Sequence, residues 1–251
     1  MAALAADRAS RWWSRLGAVA VSTTRVAAGA AAALESFVFP ARCPACGAPA
    51  DAARVLCDAC ELDIPRFDGR LCARCLALER DPDACLTHRG FACWCAWIYE
   101  ERAAQLIHAL KYEGRAALAA RLGRRLAQAL PVDYRPDLVI EVPMHTARLR
   151  ERGFNQAARL AAACAAQLQA PRLPGALLRV RATLPQTGLS ARQRRRNLTG
   201  AFQVREGGAL RGRKVLLVDD VITTGSTLEA CLDALRACGA EAVAAVVAWA
   251  S

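Results

Sequence analysis

Two carboxylates and a cluster of hydroxyls lie together in Asp219-Asp220-Val221-Ile222-Thr223-Thr224-Gly225-Ser226-Thr227. Before them comes a continuous apolar run, read as a strand over Lys214–Val218 that is buried on both faces. After them Ser226–Cys238 has a helix pattern, with Gly239 as its stop. Backbone N–H groups at a helix start carry partial positive charge and suit a phosphate. Gly225 lets the chain approach a ligand without a Cβ, and Thr223, Thr224, Ser226 and Thr227 add hydroxyl donors. Asp219 and Asp220 are read as acceptors for ligand hydroxyls, directly or through Mg²⁺. A plain capped helix would also use Thr and Asp. The whole combination in one run favours a ligand site, and it lacks the lysine of a P-loop and the glycines of a dinucleotide fingerprint.

The second chemistry belongs to cysteine. Nine of the 12 cysteines fall between Cys43 and Cys95. Cys43-x2-Cys46 and Cys57-x2-Cys60 are two knuckles whose four thiolates suit one tetrahedral Zn²⁺. Cys72-x2-Cys75 opens a second set, with Cys85, His88, Cys93 and Cys95 as candidate partners. No open coordination position is implied, so the metal is read as structural, a staple for a region with few core residues. Cys164, Cys231 and Cys238 lie on helix patterns and read as small buried apolar residues.

These groups need a scaffold, and the 251 residues divide by composition into an Ala-rich helical extension over 1–39, a Cys- and Pro-rich module over 40–97, and the rest, 98–251. In the last region Glu101–Tyr112 and Arg115–Leu130 read as helices, 137–142 as a strand, Asn155–Gln169 as a helix, and 176–180, 201–204 and 242–249 as strands. Residues 181–199 read as an Arg-rich loop. Strands alternating with helices imply an α/β fold with a parallel sheet. The net charge of +11 favours anionic partners. Arg25 and Glu35 interrupt the apolar run near the start, so no membrane span is expected, and thiolate zinc suits a reducing cytoplasm.

The acid-and-hydroxyl run resembles the phosphoribosyl diphosphate motif of type I phosphoribosyltransferases. The wider chain looks like the ComF/GntX subfamily, on Cys43-Pro44-Ala45-Cys46, Leu110-Lys111-Tyr112-Glu113-Gly114, Val142-Pro143-Met144-His145, Arg152-Gly153-Phe154-Asn155-Gln156, Gln186-Thr187-Gly188-Leu189 and Arg196–Phe202. The resemblance implies a phosphoribosyltransferase fold over 98–251 behind a double zinc ribbon over 40–97. It implies transfer of phosphoribose from 5-phosphoribosyl diphosphate with Mg²⁺, with Asp219 and Asp220 on the ribose hydroxyls and Thr223–Thr227 around the 5′-phosphate. Lys111, Arg148 and Arg152 would face the diphosphate, and Cys93 and Cys95 would complete the second zinc. The subfamily's tie to competence gives a rival reading. In it a non-catalytic module binds nucleotide or single-stranded DNA within the DNA-uptake machinery, with Arg192, Arg194, Arg195 and Arg196 as phosphate contacts.

Overall fold

A computed structural model describes residues 42–50, 56–67, 69–79, 85, 88, 91–112, 116–181, 198, 200–205 and 207–250. The expectations for residues 1–39 and for Gln186–Leu189 and Arg192–Arg196 lie outside these. The chain forms two compact units, Met1–Cys43 with Gly47–Cys57, and Pro44–Cys46 with Asp58–Ser251. In the first, Arg42 bridges Pro49, and Cys43 and Gly47 close a turn through Gly47 N to Cys43 O at 2.8 Å. Gly47 takes φ 72 there, a left-handed conformation that glycine adopts without strain.

The second unit is built on a six-stranded sheet. Its elements are α1 (Asp58–Asp63), β1 (Arg70–Cys72), β2 (Leu78–Glu79), β3 (Ala92–Ile98), α2 (Glu101–Tyr112) and α3 (Ala116–Gln128). There follow β4 (Leu138–Glu141), α4 (Thr146–Arg152), α5 (Gln156–Leu168), the separate hairpin of β5 (Leu177–Arg179) and β6 (Phe202–Val204), β7 (Lys214–Ile222), α6 (Ser226–Ala237) and β8 (Glu241–Trp249). The strand order is β2-β1-β3-β8-β7-β4, and β3, β8, β7 and β4 run parallel. The expected α/β class is therefore observed. The Cys-rich segment joins the same sheet, because β1 pairs antiparallel with β3 and β3 pairs parallel with β8. The boundary expected at 97/98 falls inside β3.

Apolar content explains the centre. Val215–Val218 and Ala244–Ala248 are all buried, as two-sided burial requires. Helices cover the faces, and α3 crosses closely on α5. There Gly123 lies so close that an added Cβ would stand 2.5 Å from Ala163 Cβ and 2.7 Å from the Leu160 carbonyl oxygen. Gly123→Ala gains up to about 1 kcal/mol of helix propensity but overpacks this crossing. It is expected to destabilise the protein by about 2 kcal/mol net, read as a lower midpoint in urea unfolding. A rise in the midpoint would show that the crossing relaxes freely.

Candidate functional site

The acids lie on a strand that outlasts its neighbour. β4 pairs with β7 only as far as Glu141 opposite Val218. β8 stays with β7 to the end, with Asp219 opposite Val246 and Ile222 opposite Trp249. The strand therefore continues four residues beyond its expected end at Val218, because pairing with β8 goes on through the polar residues. On the β4 side Asp219–Ile222 run past the last paired residue of β4. In open α/β sheets ligands bind beyond the carboxyl ends of strands, where a neighbouring strand stops. A groove lined by Tyr134, Arg135, Lys214, Arg236 and Glu241 sits at the opposite, amino-terminal end of β7 and β8.

Asp219 is half-buried and Asp220 is buried. Each accepts the following amide, Asp220 N to Asp219 Oδ1 and Val221 N to Asp220 Oδ1, both at 2.8 Å. The other Asp220 oxygen, Oδ2, accepts from Lys111 Nζ at 3.0 Å and from Gln156 Nε2 at 3.2 Å. Burial, and then the adjacent Asp220 charge, push the Asp219 carboxyl well above the ordinary carboxylate range, with Lys111 opposing. Such a carboxyl favours an added cation or a hydrogen-bond donor at its oxygens.

The Arg152–Gln156 segment now has a local explanation. Gly153, at φ 78, ends α4, and its amide returns to Leu149 O at 2.8 Å. Asn155 caps α5 by accepting from Ala157 N at 3.0 Å, and it donates to Val142 O at the end of β4. Phe154 carries the Arg159 guanidinium on its ring face at 3.9 Å. Gln156 reaches Asp220, while its own Oε1 accepts from Arg152 at 2.9 Å. Arg152 is thus tied to the acid through Gln156, and its guanidinium also stacks over Tyr112 at 5.1 Å. Arg148 stands exposed on α4, a helix that buries none of its residues. His145 caps that helix, its Nδ1 accepting from Ala147 N at 3.2 Å.

Sequence reasoning missed two contributors. Gln156 appeared only inside a motif, although a buried amide needs partners. Arg179, on β5, lies near both Arg148 and Asp219. Burial, then the Arg148 cation, lower its pKa, and Cys231 and Asp219 act the other way. Its position depends on a hairpin paired across more than twenty residues, which no local pattern announces.

The loop after β7 opens α6 with Gly225 at φ 71 in the Ncap position, where no side chain caps the helix. Thr223 is exposed, Thr224 and Thr227 are half-buried, and the Thr224 and Ser226 hydroxyls lie 3.2 Å apart. Gly225 and Ser226 are buried. The back of Gly225 is closed by Ala73, whose carbonyl oxygen would lie 1.7 Å from an added Cβ.

Two sets of metal-type ligands are assembled. The donor atoms of Cys43, Cys46, Cys57 and Cys60 lie within 4.8 Å of one another, and so do those of Cys72, Cys75, Cys85 and His88. Four soft donors so grouped fit a tetrahedral Zn²⁺. The expectation that Cys93 and Cys95 complete the second set is corrected by this grouping. Both residues are fully buried on β3, which is held between β1 and β8. A spacing of one puts both on the same face of a strand, whereas a knuckle needs a turn between its ligands.

Comparison with known proteins agrees with both halves. Residues 34–87 match the family model of the double zinc ribbon domain, and residues 155–251 match that of the phosphoribosyl transferase domain. The chain is 34% identical over 208 residues to the DNA utilization protein YhgH of Escherichia coli O157:H7, covering 80% of this chain and 86% of that protein. It is 42% identical over 109 residues to Competence protein F of Haemophilus influenzae, covering 43% of this chain and 48% of that one. It is 33% identical over 127 residues to the adenine phosphoribosyltransferase of Sphingopyxis alaskensis, covering 49% of this chain and 59% of that one. Among the described residues no helix is long and apolar enough to cross a membrane.

Proposed function

Starting from the fact that the chain belongs to the ComF/GntX subfamily of type I phosphoribosyltransferases, we propose that the carboxyl end of β7 and the loop after it bind 5-phosphoribosyl diphosphate or a nucleotide monophosphate. In this reading it transfers phosphoribose to an acceptor. The observation that carries the reading is the placement of Asp219 and Asp220 just past the last paired residue of β4, five residues ahead of a helix start that no side chain caps. Asp219 and Asp220 accept the ribose hydroxyls. The 5′-phosphate sits against the Thr223–Thr227 amides and hydroxyls, where the helix dipole favours an anion. Arg148, Arg152 and Lys111 face the diphosphate end. Mg²⁺ would be held by the diphosphate and the acid pair, and it supplies charge neutralisation for the leaving group. The C1–O bond to diphosphate breaks, diphosphate leaves with the electron pair, the acceptor's lone pair forms the new C1 bond, and the acceptor's proton passes to water. The protein contributes positioning and electrostatics, without a nucleophile of its own.

Two zinc ions complete the proposal as structural staples, one on Cys43, Cys46, Cys57 and Cys60, the other on Cys72, Cys75, Cys85 and His88. Thiolate zinc suits the reducing cytoplasm.

The test is calorimetric titration with 5-phosphoribosyl diphosphate and Mg²⁺. Wild type should bind, and Asp219→Asn with Asp220→Asn should bind at least about 100-fold more weakly, since each charge-assisted hydrogen bond is worth roughly 1.5–3 kcal/mol. Diphosphate release should then appear with at least one member of a panel of bases and amines. No release with any of them leaves a binding module. The names of the relatives in Escherichia coli and Haemophilus influenzae favour that second reading, with single-stranded DNA as the ligand. It requires an affinity that falls steeply with salt.

A further inference from the structure

We propose that the second ligand set, Cys72, Cys75, Cys85 and His88, is a positioning device for the phosphate loop, so that its metal controls how well the loop grips an anion. The inference rests on reading Thr223–Thr227 as that loop. Both residues between the first two ligands touch the loop or the helix it opens. Ala73 places its carbonyl oxygen against Gly225, in a contact too close for any side chain. Both partners are buried, so no water softens it. Arg74 forms an ion pair at 2.8 Å with Glu229, a buried acid in the first turn of α6. The Glu229 amide in turn donates to Gly225 O at 2.8 Å.

Other contacts hold the Cys72–Cys75 turn at its ends: Cys72 N donates to Ala77 O at 3.0 Å, Cys72 stands opposite Ala92 of β3, and the Arg74 guanidinium lies 5.1 Å over the Phe91 ring. Leu76 N donates to Cys72 O at 2.8 Å, with Leu76 itself at φ 60, and Ala73 N donates to Phe91 O at 2.6 Å. What these contacts do not fix is the sulfur end of the turn. Cys75 Sγ stands 3.7 Å from Cys85 Sγ, which stands 3.6 Å from His88 Nδ1. Four donors at these separations are joined by a metal ion far more strongly than by one another. A bound ion therefore fixes the turn, the turn fixes Gly225, and Gly225 sets the direction of the first amides of α6. A staple that served only the Cys-rich segment would not need both intervening residues on the loop.

The test removes only this metal, in the full chain. His88→Ala should lower the zinc content by one equivalent. Hydrogen exchange should then accelerate about tenfold or more at residues 223–229 while 138–141 in β4 stays unchanged. Affinity for 5-phosphoribosyl diphosphate with Mg²⁺ should fall in parallel. His88→Cys, which keeps four donors, should restore the metal and slow exchange again. Arg74→Ala, with both metals retained, should give a smaller acceleration at the same residues, and it serves if His88→Ala does not fold. Unchanged exchange at 223–229 after metal loss, or acceleration spread equally over the whole sheet, would overturn the proposal. Faster exchange at 223–229 in a protein that never binds the diphosphate would leave the clamp standing and remove the function proposed above.

Discussion

Gly225→Ala should be among the most damaging single substitutions in the chain. Two costs combine. The residue sits at φ 71, where a non-glycine residue loses about 1–2 kcal/mol. Its new Cβ would also overlap the Ala73 carbonyl oxygen at 1.7 Å, a backbone atom that no rotamer change can move aside. Overpacking against fixed atoms costs about 1–3 kcal/mol, so a loss of about 4 kcal/mol is expected, read from urea midpoints. Gly153→Ala supplies the control. Gly153 has φ 78, and nothing lies within 4 Å of an added Cβ. It should lose only the conformational part, about 1 kcal/mol. The difference between the two variants measures the Ala73 contact. If Gly225→Ala is tolerated as well as Gly153→Ala, the contact is soft, and the loop is not held from behind. Titration with 5-phosphoribosyl diphosphate and Mg²⁺ adds the functional half, since relieving the overlap must move the amides that would meet the phosphate.

The parts that could be read from sequence are those whose pattern is local. α5 appears where its 3.6 period lies, with Asn155 as its cap and Gln169, at φ 54, as its close. The apolar runs of β7 and β8 mark the centre of the sheet. α4 had no such mark, because a helix that buries nothing has no apolar stripe, and its evidence is confined to the caps His145 and Gly153. The last residues of β7 were hidden for a related reason. Asp219 and Asp220 break the apolar run, and only their pairing with β8 keeps them in the strand. The union of the Cys-rich segment with the sheet was beyond local reasoning, since β3 pairs with a strand about 150 residues downstream. The alternation Cys93-Trp94-Cys95 did carry a signal, as period two marks a strand and argues against a metal knuckle.

Lys111 shows how the site and the fold share one residue. Its helix position alone suits either a snorkelling side chain or a ligand contact, and the structure adds a third role as the counter-ion of Asp220. The Asp220 side chain is 8% exposed and that of Lys111 27%. Removing one partner of a buried pair strands the other, at a cost of about 3–5 kcal/mol. Lys111→Met should therefore destabilise the protein by about 3 kcal/mol, because Gln156 Nε2 is then the remaining side-chain donor to the carboxylate. Asp220→Asn should cost less, since the more exposed ammonium can turn toward water. The double variant should be more stable than Lys111→Met alone, a coupling of about 2 kcal/mol in a double-mutant cycle. The pH dependence has a definite sign. Burial lowers the Lys111 pKa, but the Asp220 carboxylate outweighs it, so the net shift is upward from 10.5. The folded state then holds the proton more tightly than the unfolded chain. Its contribution is complete below 10.5 and is lost as pH rises through the folded value. The gap between wild type and Lys111→Met should accordingly be wide at about pH 8 and narrow progressively as pH rises above 10.5. An unchanged gap would mean that the ammonium is not what holds Asp220. A variant as stable as wild type throughout this range would confine Lys111 to the ligand, where only its loss of affinity for the diphosphate would be seen.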